Sequence, residues 1–126
     1  MSSCIVPIIM GSKSDLEHGR KIAGALAEFG IESEIRVASA HKAAVYCLEL
    51  LSHYESMDRP KVYVTIAGRS NALSGLVDAH VLNPSIACPP PSDKYGGADI
   101  FSSLRMPSGV APAVVLEPGN TALLAA

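Results

Sequence analysis

Polar residues suited to chemistry lie in three short segments, each directly after a run of apolar residues. The segments are residues 11–15, 39–42 and 68–71, and each combines glycine or serine with a charged or imidazole side chain. In open α/β sheets, ligands bind in the crevice outside the carboxyl ends of the strands. The three segments are therefore predicted to line one pocket.

His41 is the strongest candidate for acid–base chemistry. It lies beside Lys42 in one of the polar segments, and an imidazole can accept and return a proton near neutral pH. The alternative is a solvated loop histidine, which the neighbouring Lys42 and the other polar segments disfavour. His18, His53 and His80 fall on predicted helices, where surface or packing roles are expected.

The first segment suits a phosphate or a sugar. Gly11 allows close approach of the backbone, Ser12 can donate to a phosphate oxygen, and the following helix directs its free N–H groups at this loop. Asp15 can accept hydrogen bonds from sugar hydroxyls. The alternative left open is that Ser14 and Asp15 only cap the helix, because the segment matches neither a Walker loop nor the glycine-rich dinucleotide motif.

Two cations complete the set of candidate binding residues. Arg69 and Lys42 could neutralise a phosphate and a carboxylate, and a guanidinium can hold either anion through two parallel hydrogen bonds. Ordinary surface charge is the alternative interpretation of both residues.

The elements that must position these residues alternate between strands and helices. Short apolar runs predict strands, and residues 31–37 alternate apolar and polar side chains as an edge strand does. Long return connections imply parallel pairing, so the expected fold is a three-layer α/β/α sandwich with a parallel sheet of about five strands. The strand order does not follow from these patterns, and a flavodoxin-like sheet is the favoured arrangement. The predicted strands are residues 4–10, 31–37, 61–67, 85–88 and 113–116.

Helices are predicted between and after these strands. The first begins with a capping box in which Ser14 is the N-cap and Glu17 its partner, and it ends at Gly30. The second is expected to align Val45, Leu48, Leu51 and Tyr54 on one face. Further helices are predicted at residues 73–82, at residues 98–105 and from an N-cap at Asn120.

Length and composition describe one domain spanning residues 1–126. Of the 126 residues, 48% are hydrophobic and 17% charged, and the formal net charge of −2 is evenly spread, which argues against nucleic acid or an anionic membrane as partner. The apolar run near the N-terminus is too short for a signal sequence, so a cytoplasmic location is expected. Cys4, Cys47 and Cys88 are too dispersed for a zinc site, so reduced thiols and no metal are predicted.

Six segments together match one known family of enzymes over nearly the whole chain. They are residues 8–15 (IIMGSKSD), 37–42 (VASAHK), 66–75 (IAGRSNALSG), 87–93 (ACPPPSD), 102–109 (SSLRMPSG) and 119–126 (GNTALLAA). With these segments the chain resembles the PurE-type phosphoribosylaminoimidazole carboxylases of purine synthesis. The resemblance implies one domain that carboxylates aminoimidazole ribonucleotide (AIR), that is, one AIR carboxylase domain.

The third segment distinguishes two classes within that family. The mutase class, which isomerises an N-carboxylated intermediate, has a longer glycine-rich loop with a second histidine, whereas residues 69–75 contain none. The chain therefore resembles the class that carboxylates the ribonucleotide directly with carbon dioxide, without biotin, metal or ATP. A mutase and a non-catalytic nucleotide-binding protein remain the alternatives.

The resemblance also implies roles for individual residues. His41 would be the catalytic acid/base with Lys42 beside it, and the loop from Gly68 to Leu73 would surround the imidazole and carbon dioxide. The substrate-binding residues implied are Gly11, Ser12, Asp15, Ser39, Lys42, Gly68, Arg69, Ser70, Asn71 and Leu73.

Assembly is a further implication of the resemblance. Family members form homo-octamers with active sites at subunit junctions, and their C-terminal region packs onto neighbouring subunits. Since the sequence ends six residues after Asn120, at Ala126, impaired assembly relative to a longer form is expected.

Overall fold

The fold is a parallel sheet covered by helices on both faces. The computed structural model describes residues 4–126, and within this range the sheet has five strands in the order β2-β1-β3-β4-β5. The strands are β1 (Ile5–Met10), β2 (Glu32–Val37), β3 (Tyr63–Ile66), β4 (Ser85–Ala87) and β5 (Ala113–Val114). The predicted fold class and the flavodoxin-like strand order are confirmed.

Five α-helices accompany the strands in residues 4–126. They are α1 (Leu16–Glu28), α2 (Ala44–Glu55), α3 (Leu73–His80), α4 (Phe101–Leu104) and α5 (Pro118–Ala125), with 3₁₀ turns at Lys13–Asp15 and Lys94–Ile100. No helix in the described part of the chain is long and apolar enough to cross a membrane.

The order of the strands determines where a ligand can bind. β1 is buried along its whole length and pairs in parallel with β2 on one side and β3 on the other. The chain first adds a strand on one side of β1 and then returns to the other side, which makes this point the switch in strand order. The loops after β1, β2 and β3 therefore border one crevice.

Two apolar clusters hold the helices against the sheet. On one face, Ile8 and Met10 of β1 pack in the cluster that includes Ile22 and Leu26 of α1. On the other face, Ile9 packs in the cluster formed with α2 and α3. Alternate residues of β1 thus enter opposite layers, as the period of a strand requires.

The start of the first helix differs from the prediction. The capping box of Ser14 and Glu17 does not form; instead the Oγ of Ser12 accepts a hydrogen bond from the backbone N–H of Ser14 at 3.2 Å and begins a 3₁₀ turn. Lys13–Asp15 therefore form a separate turn before α1, whereas the prediction placed the N-cap at Ser14 and began the helix at Asp15. The predicted end at Gly30 is confirmed by its left-handed φ of 73°.

The predicted buried face of α2 is wrong in its first half. Val45 is 71% exposed and Leu48 lies at the surface, whereas Cys47 and Leu50 are buried with Leu51 and Tyr54. Because α2 begins at Ala44, the side chains that meet the sheet recur at 47, 50, 51 and 54. The apolar residues at 45 and 48 belong to the opposite face.

The structure also differs from two predictions in the C-terminal third of the chain. In place of one helix at 98–105, the 3₁₀ segment Lys94–Ile100 contains left-handed backbone at Tyr95, Gly96 and Gly97 before the single turn of α4. The N-cap of α5 is Glu117 rather than Asn120, because its carboxylate accepts the N–H of Asn120 at 2.7 Å. The carboxylate of Glu117, three residues before Asn120, therefore caps the helix in place of the Asn120 side chain that the sequence predicted.

Candidate functional site

The three polar segments meet in one cleft of about 690 Å³ at the carboxyl ends of β1, β2 and β3. A fourth loop, which follows β4, closes the cleft with Pro90, Pro91 and Ser92. The predicted site residues in the lining are Gly11, Ser12, Asp15, Ser39, His41, Lys42, Gly68, Arg69, Ser70 and Leu73. Residues that are distant in the sequence are thus brought together by the parallel sheet.

The loop after β1 is fixed to the sheet at its first residue. The N–H of Gly11 donates to the carbonyl of Ile66 at 2.9 Å, and the hydroxyls of Ser12 and Ser14 lie 3.0 Å apart. Asp15 is half-buried, and desolvation raises the pKa of its carboxyl above the usual value although the nearby His18 acts in the opposite direction. The loop therefore presents hydroxyls and a carboxyl whose charged form lacks part of its hydration.

The loop after β2 forms a hydrogen-bonded turn that presents His41 and Lys42. The Oγ of Ser39 accepts from the N–H of Lys42 at 3.2 Å, and the carbonyl of Ser39 accepts from the N–H of Ala43 at 2.9 Å. The side chains of His41 and Lys42 are exposed at the cleft. Ser39 thus fixes the backbone while the two candidate catalytic side chains face the space where a ligand would lie.

The loop after β3 contains a strained residue. Arg69 has a φ of 59°, a left-handed conformation that is uncommon for a residue other than glycine. Such a conformation costs roughly 1–3 kcal/mol and persists when surrounding contacts require it. The side chains of Arg69 and Ser70 are exposed in the cleft lining.

Asn71 lies apart from the cleft lining. Its side chain is 6% exposed, its Nδ2 donates to the Oγ of Ser103 at 2.9 Å, and its Oδ1 accepts from the N–H of Ser74 at 3.1 Å. Both ends of the amide are therefore used inside the protein. This geometry indicates that Asn71 shapes the loop, whereas the resemblance implied a place beside the substrate.

The charge distribution of the cleft suits a ligand that carries an anionic group next to a group rich in hydroxyls. Lys42 and Arg69 supply cationic groups on two of the loops, and Asp15 supplies a carboxyl group near the hydroxyls of Ser12 and Ser14. Within residues 4–126, no group of three or more His, Cys, Asp or Glu side chains is arranged to hold a metal ion. The arrangement can bind a phosphate or carboxylate and move a proton at His41.

A second cavity of about 870 Å³ adjoins the cleft. The two share a wall formed by Ala67, Gly68, Pro90, Pro91 and Ser92. Of this wall, the sequence predicted Gly68 as a site residue but not the residues after β4, although β4 pairs with β3 and its loop must therefore adjoin the loop after β3. The proline run after a buried strand was the available signal.

His18 lines the second cavity and contacts a cysteine. Its Nε2 lies 3.3 Å from the Sγ of Cys88, and desolvation lowers the pKa of the imidazole. Burial raises the pKa of the Cys88 thiol, whose Sγ also lies 3.6 Å from the carbonyl oxygen of Leu116. Of the surface or packing roles predicted for His18, this contact between α1 and the end of β4 favours packing.

Comparison with known proteins identifies relatives across the whole described chain. The family described as AIR carboxylase matches residues 5–126. Phosphoribosylaminoimidazole carboxylase of Treponema denticola is 63% identical over 122 residues, covering 97% of this chain and 77% of that protein. The enzyme of the same name from Archaeoglobus fulgidus is 62% identical over 119 residues, covering 94% of this chain and 65% of that protein.

A solved structure and a mammalian relative are similar to the same chain. The crystal structure of Treponema denticola PurE superposes with a TM-score of 0.96 at 62% identity, covering 97% of this chain and 77% of that one. The bifunctional phosphoribosylaminoimidazole carboxylase/phosphoribosylaminoimidazole succinocarboxamide synthetase of Mus musculus is 43% identical over 125 residues. The alignment covers 99% of this chain and 29% of that protein. Because the family model matches residues 5–126 and the Treponema denticola enzyme is 63% identical over 97% of the chain, the chain belongs to the AIR carboxylase family.

Proposed function

We propose that this chain carboxylates 5-aminoimidazole ribonucleotide with carbon dioxide to give 4-carboxy-5-aminoimidazole ribonucleotide, reversibly, in purine biosynthesis. The observation that carries the proposal is the meeting of the loops of Ser12, His41 and Arg69 in one cleft. Such a cleft can hold a ribonucleotide at its phosphate and sugar and leave the imidazole beside a proton-transfer group. The family membership of the chain supports the same reaction.

The phosphate and ribose are assigned to the first two loops. Ser12, Ser39 and Lys42 supply donors for the phosphate, and Asp15 accepts from the ribose hydroxyls. The desolvation that raises the pKa of Asp15 is offset when sugar hydroxyls donate to its charged form. The first two loops are thus assigned to binding of the phosphate and sugar.

The chemical step needs an electron-rich ring and a base. The ring amine pushes an electron pair onto the adjacent ring carbon, which attacks carbon dioxide and forms the new carbon–carbon bond. That carbon then carries both a proton and a carboxylate, and His41 removes the proton to restore the aromatic ring. In the reverse direction His41 returns the proton. General acid–base help of this kind contributes ~10²–10⁴-fold.

The protein also holds the reactants together and stabilises the forming carboxylate. Ser70 of the loop after β3 lines the cleft, and its hydroxyl can donate a hydrogen bond to that carboxylate. Because the ring carbon is already nucleophilic, the proposed reaction uses carbon dioxide as co-substrate with no biotin, metal or ATP. We assign the activity to the cytoplasm, where purine intermediates are made.

A homo-oligomer, an octamer by family resemblance, is part of the proposal. Large apolar side chains at the C-terminal end of the chain support it, since Leu116, Leu123 and Leu124 are 56%, 60% and 57% exposed. Burying these side chains between subunits would remove apolar surface from water. Sedimentation at micromolar concentration tests this part, and a stable monomer would refute it.

One assay compares the candidate reactions. The chain is offered either aminoimidazole ribonucleotide with bicarbonate as the source of carbon dioxide, or the N-carboxylated isomer, and product absorbance is followed. Consumption of the first substrate pair supports the direct carboxylase. Consumption of the isomer alone supports the mutase, and binding without turnover of either supports a non-catalytic nucleotide-binding protein.

A further inference from the structure

Hydrogen bonds from a distant segment hold the loop after β3. The N–H of Arg69 donates to the Oδ2 of Asp99 at 3.3 Å, and the N–H of Asn71 donates to the Oγ of Ser102 at 2.9 Å. The third bond runs from the Nδ2 of Asn71 to the Oγ of Ser103 at 2.9 Å. Three residues about thirty positions further along the chain thus contact one short loop.

The loop needs external support because its own backbone bonds are sparse and its conformation is strained. Arg69 adopts a left-handed φ of 59° although it carries a side chain. Within the loop, the N–H of Ala72 donates to the carbonyl of Ser70 at 3.1 Å. A strained residue persists where neighbouring structure fixes it from outside. The bond from Arg69 to Asp99 is made at the strained residue itself.

Ser102 connects the supporting segment to the loop in both directions. Its Oγ accepts from the N–H of Asn71, and it lies 2.7 Å from the carbonyl oxygen of Asp99 and 3.2 Å from that of Arg69, either of which its hydroxyl can donate to. The hydroxyl is half-buried, so its removal leaves a backbone N–H of the loop unpaired.

Ser103 acts on the same loop through Asn71. The hydroxyl of Ser103 is 1% exposed and accepts from the Asn71 amide, whose other end receives the N–H of Ser74 in the first turn of α3. The loop is thereby fixed between α4 on one side and α3 on the other. Arg69 and Ser70 lie between these fixed points and face the cleft.

We propose that Asp99, Ser102 and Ser103 are positioning residues, which set Arg69 and Ser70 for the reacting end of the substrate. The inference rests on the proposed function, in which this loop surrounds the imidazole and carbon dioxide. The phosphate and ribose are held by the other two loops, so loosening this loop affects the chemical step more than substrate affinity. Misplacement of reacting groups by about 1 Å can cost ~10²-fold in rate.

The Ser102→Ala variant provides the most direct test. Its kcat for carboxylation is expected to fall ~10–100-fold, while KM for the ribonucleotide stays within about twofold. Ser102→Thr keeps the hydroxyl and is expected to restore most of the lost kcat. Ser108→Ala, a change at an exposed serine of the same region, is the matched control and is expected to retain wild-type values.

Hydrogen exchange provides a readout that does not depend on activity. The amide of Asn71 is expected to exchange at least tenfold faster in Ser102→Ala than in wild type and to recover its protection in Ser102→Thr, with global unfolding measured for each variant. Both the exchange rates and the kcat values are corrected for the fraction of each variant that is folded. Loss of fold therefore cannot imitate loss of positioning.

The outcomes separate the inference from the proposed function. A wild-type chain without carboxylation overturns the proposed function, and unchanged exchange at Asn71 in Ser102→Ala overturns the support of the loop. Faster exchange with unchanged kcat overturns the positioning role. A fall in kcat at constant KM, reversed by threonine, supports it.

Discussion

Gly19 of α1 lies directly against Met10 of β1. A Cβ built on Gly19 would lie 2.9 Å from the Sδ of Met10 and 3.5 Å from the Cδ1 of Ile66. Both neighbours are fully buried in the cluster under α1. The absence of a side chain at Gly19 therefore sets how closely α1 approaches β1, and with it the position of the loop between them.

We expect Gly19→Ala to destabilise the protein and Gly24→Ala to stabilise it. An added methyl at Gly19 must displace Met10, so the free energy of unfolding should fall by about 1–3 kcal/mol. A Cβ at Gly24 meets no described atom within 4 Å, so the better helix propensity of alanine should add about 0.5–1 kcal/mol. Urea unfolding measures both, and equal stabilisation by the two changes would contradict the close contact.

We expect His41→Asn to abolish turnover and keep ligand binding. Asparagine retains a polar side chain but cannot transfer the proton, so carboxylation should fall ~10²–10⁴-fold. Product absorbance measures the rate, and calorimetry with the ribonucleotide measures binding. His53→Asn, on the exposed surface of α2, is the control. Near-normal carboxylation by His41→Asn would remove His41 from the mechanism.

We expect Ser39→Ala to weaken binding of the ribonucleotide. Its Oγ accepts the N–H of Lys42, so alanine should free the turn that carries Lys42 and raise KM ~10-fold. Ser39→Thr keeps the acceptor and should lie closer to wild type. Steady-state kinetics separate the two, with Ser52→Ala on the exposed side of α2 as control. A KM for Ser39→Ala equal to that of the control would argue that the hydroxyl is dispensable.

We expect alkaline loss of stability that depends on Tyr54. Burial, with the hydrogen bond to Glu34 at 2.6 Å, raises the pKa of Tyr54 from 10.0 to about 12. The folded state thus favours the neutral phenol, and this contribution is present below pH 10 and is lost as pH rises from 10 to 12. Tyr54→Phe should lose less unfolding free energy across this window than wild type in urea titrations. Tyr46→Phe, a change at an exposed tyrosine, should follow wild type.

We expect the three cysteines to react with iodoacetamide at different rates. Cys47 and Cys88 are fully buried, and burial raises the pKa of both thiols, whereas Cys4 is half-buried. Because the thiolate is the nucleophile, Cys4 should be modified first in the native protein. Mass spectrometry of digests measures each site, and in urea the three rates should converge. Rapid native labelling of Cys88 would contradict its packing against His18.

The sheet and the cleft could be predicted because strong local patterns determined them. The apolar run of β1 and the alternation of β2 indicate that β1 lies inside the sheet and β2 at its edge. Since parallel strands end at the same side of a sheet, the segments around Ser12, His41 and Arg69 had to meet there. Strand pattern was sufficient for the parallel sheet and for the side on which the cleft lies, whereas the strand order did not follow from it.

The remaining differences arise from tertiary contacts that a single sequence does not encode locally. Val45 and Leu48 have helical spacing with Leu51, but the start of α2 turns Cys47 and Leu50 to the sheet. Asn71 resembles an exposed loop residue, and only the approach of Ser103 from α4 buries its amide. Both cases depend on a partner distant in sequence.

The two edges of the sheet bear on solubility. β2 carries Glu32, Glu34 and Arg36, with ion pairs from Glu32 to Arg59 and from Glu34 to Arg36, and β5 is only two residues long. An unpaired strand edge can recruit strands from other molecules, and charge or shortness discourages such recruitment. Neither edge therefore provides a good template for amyloid-like growth, which protects a chain whose central strands are almost wholly apolar.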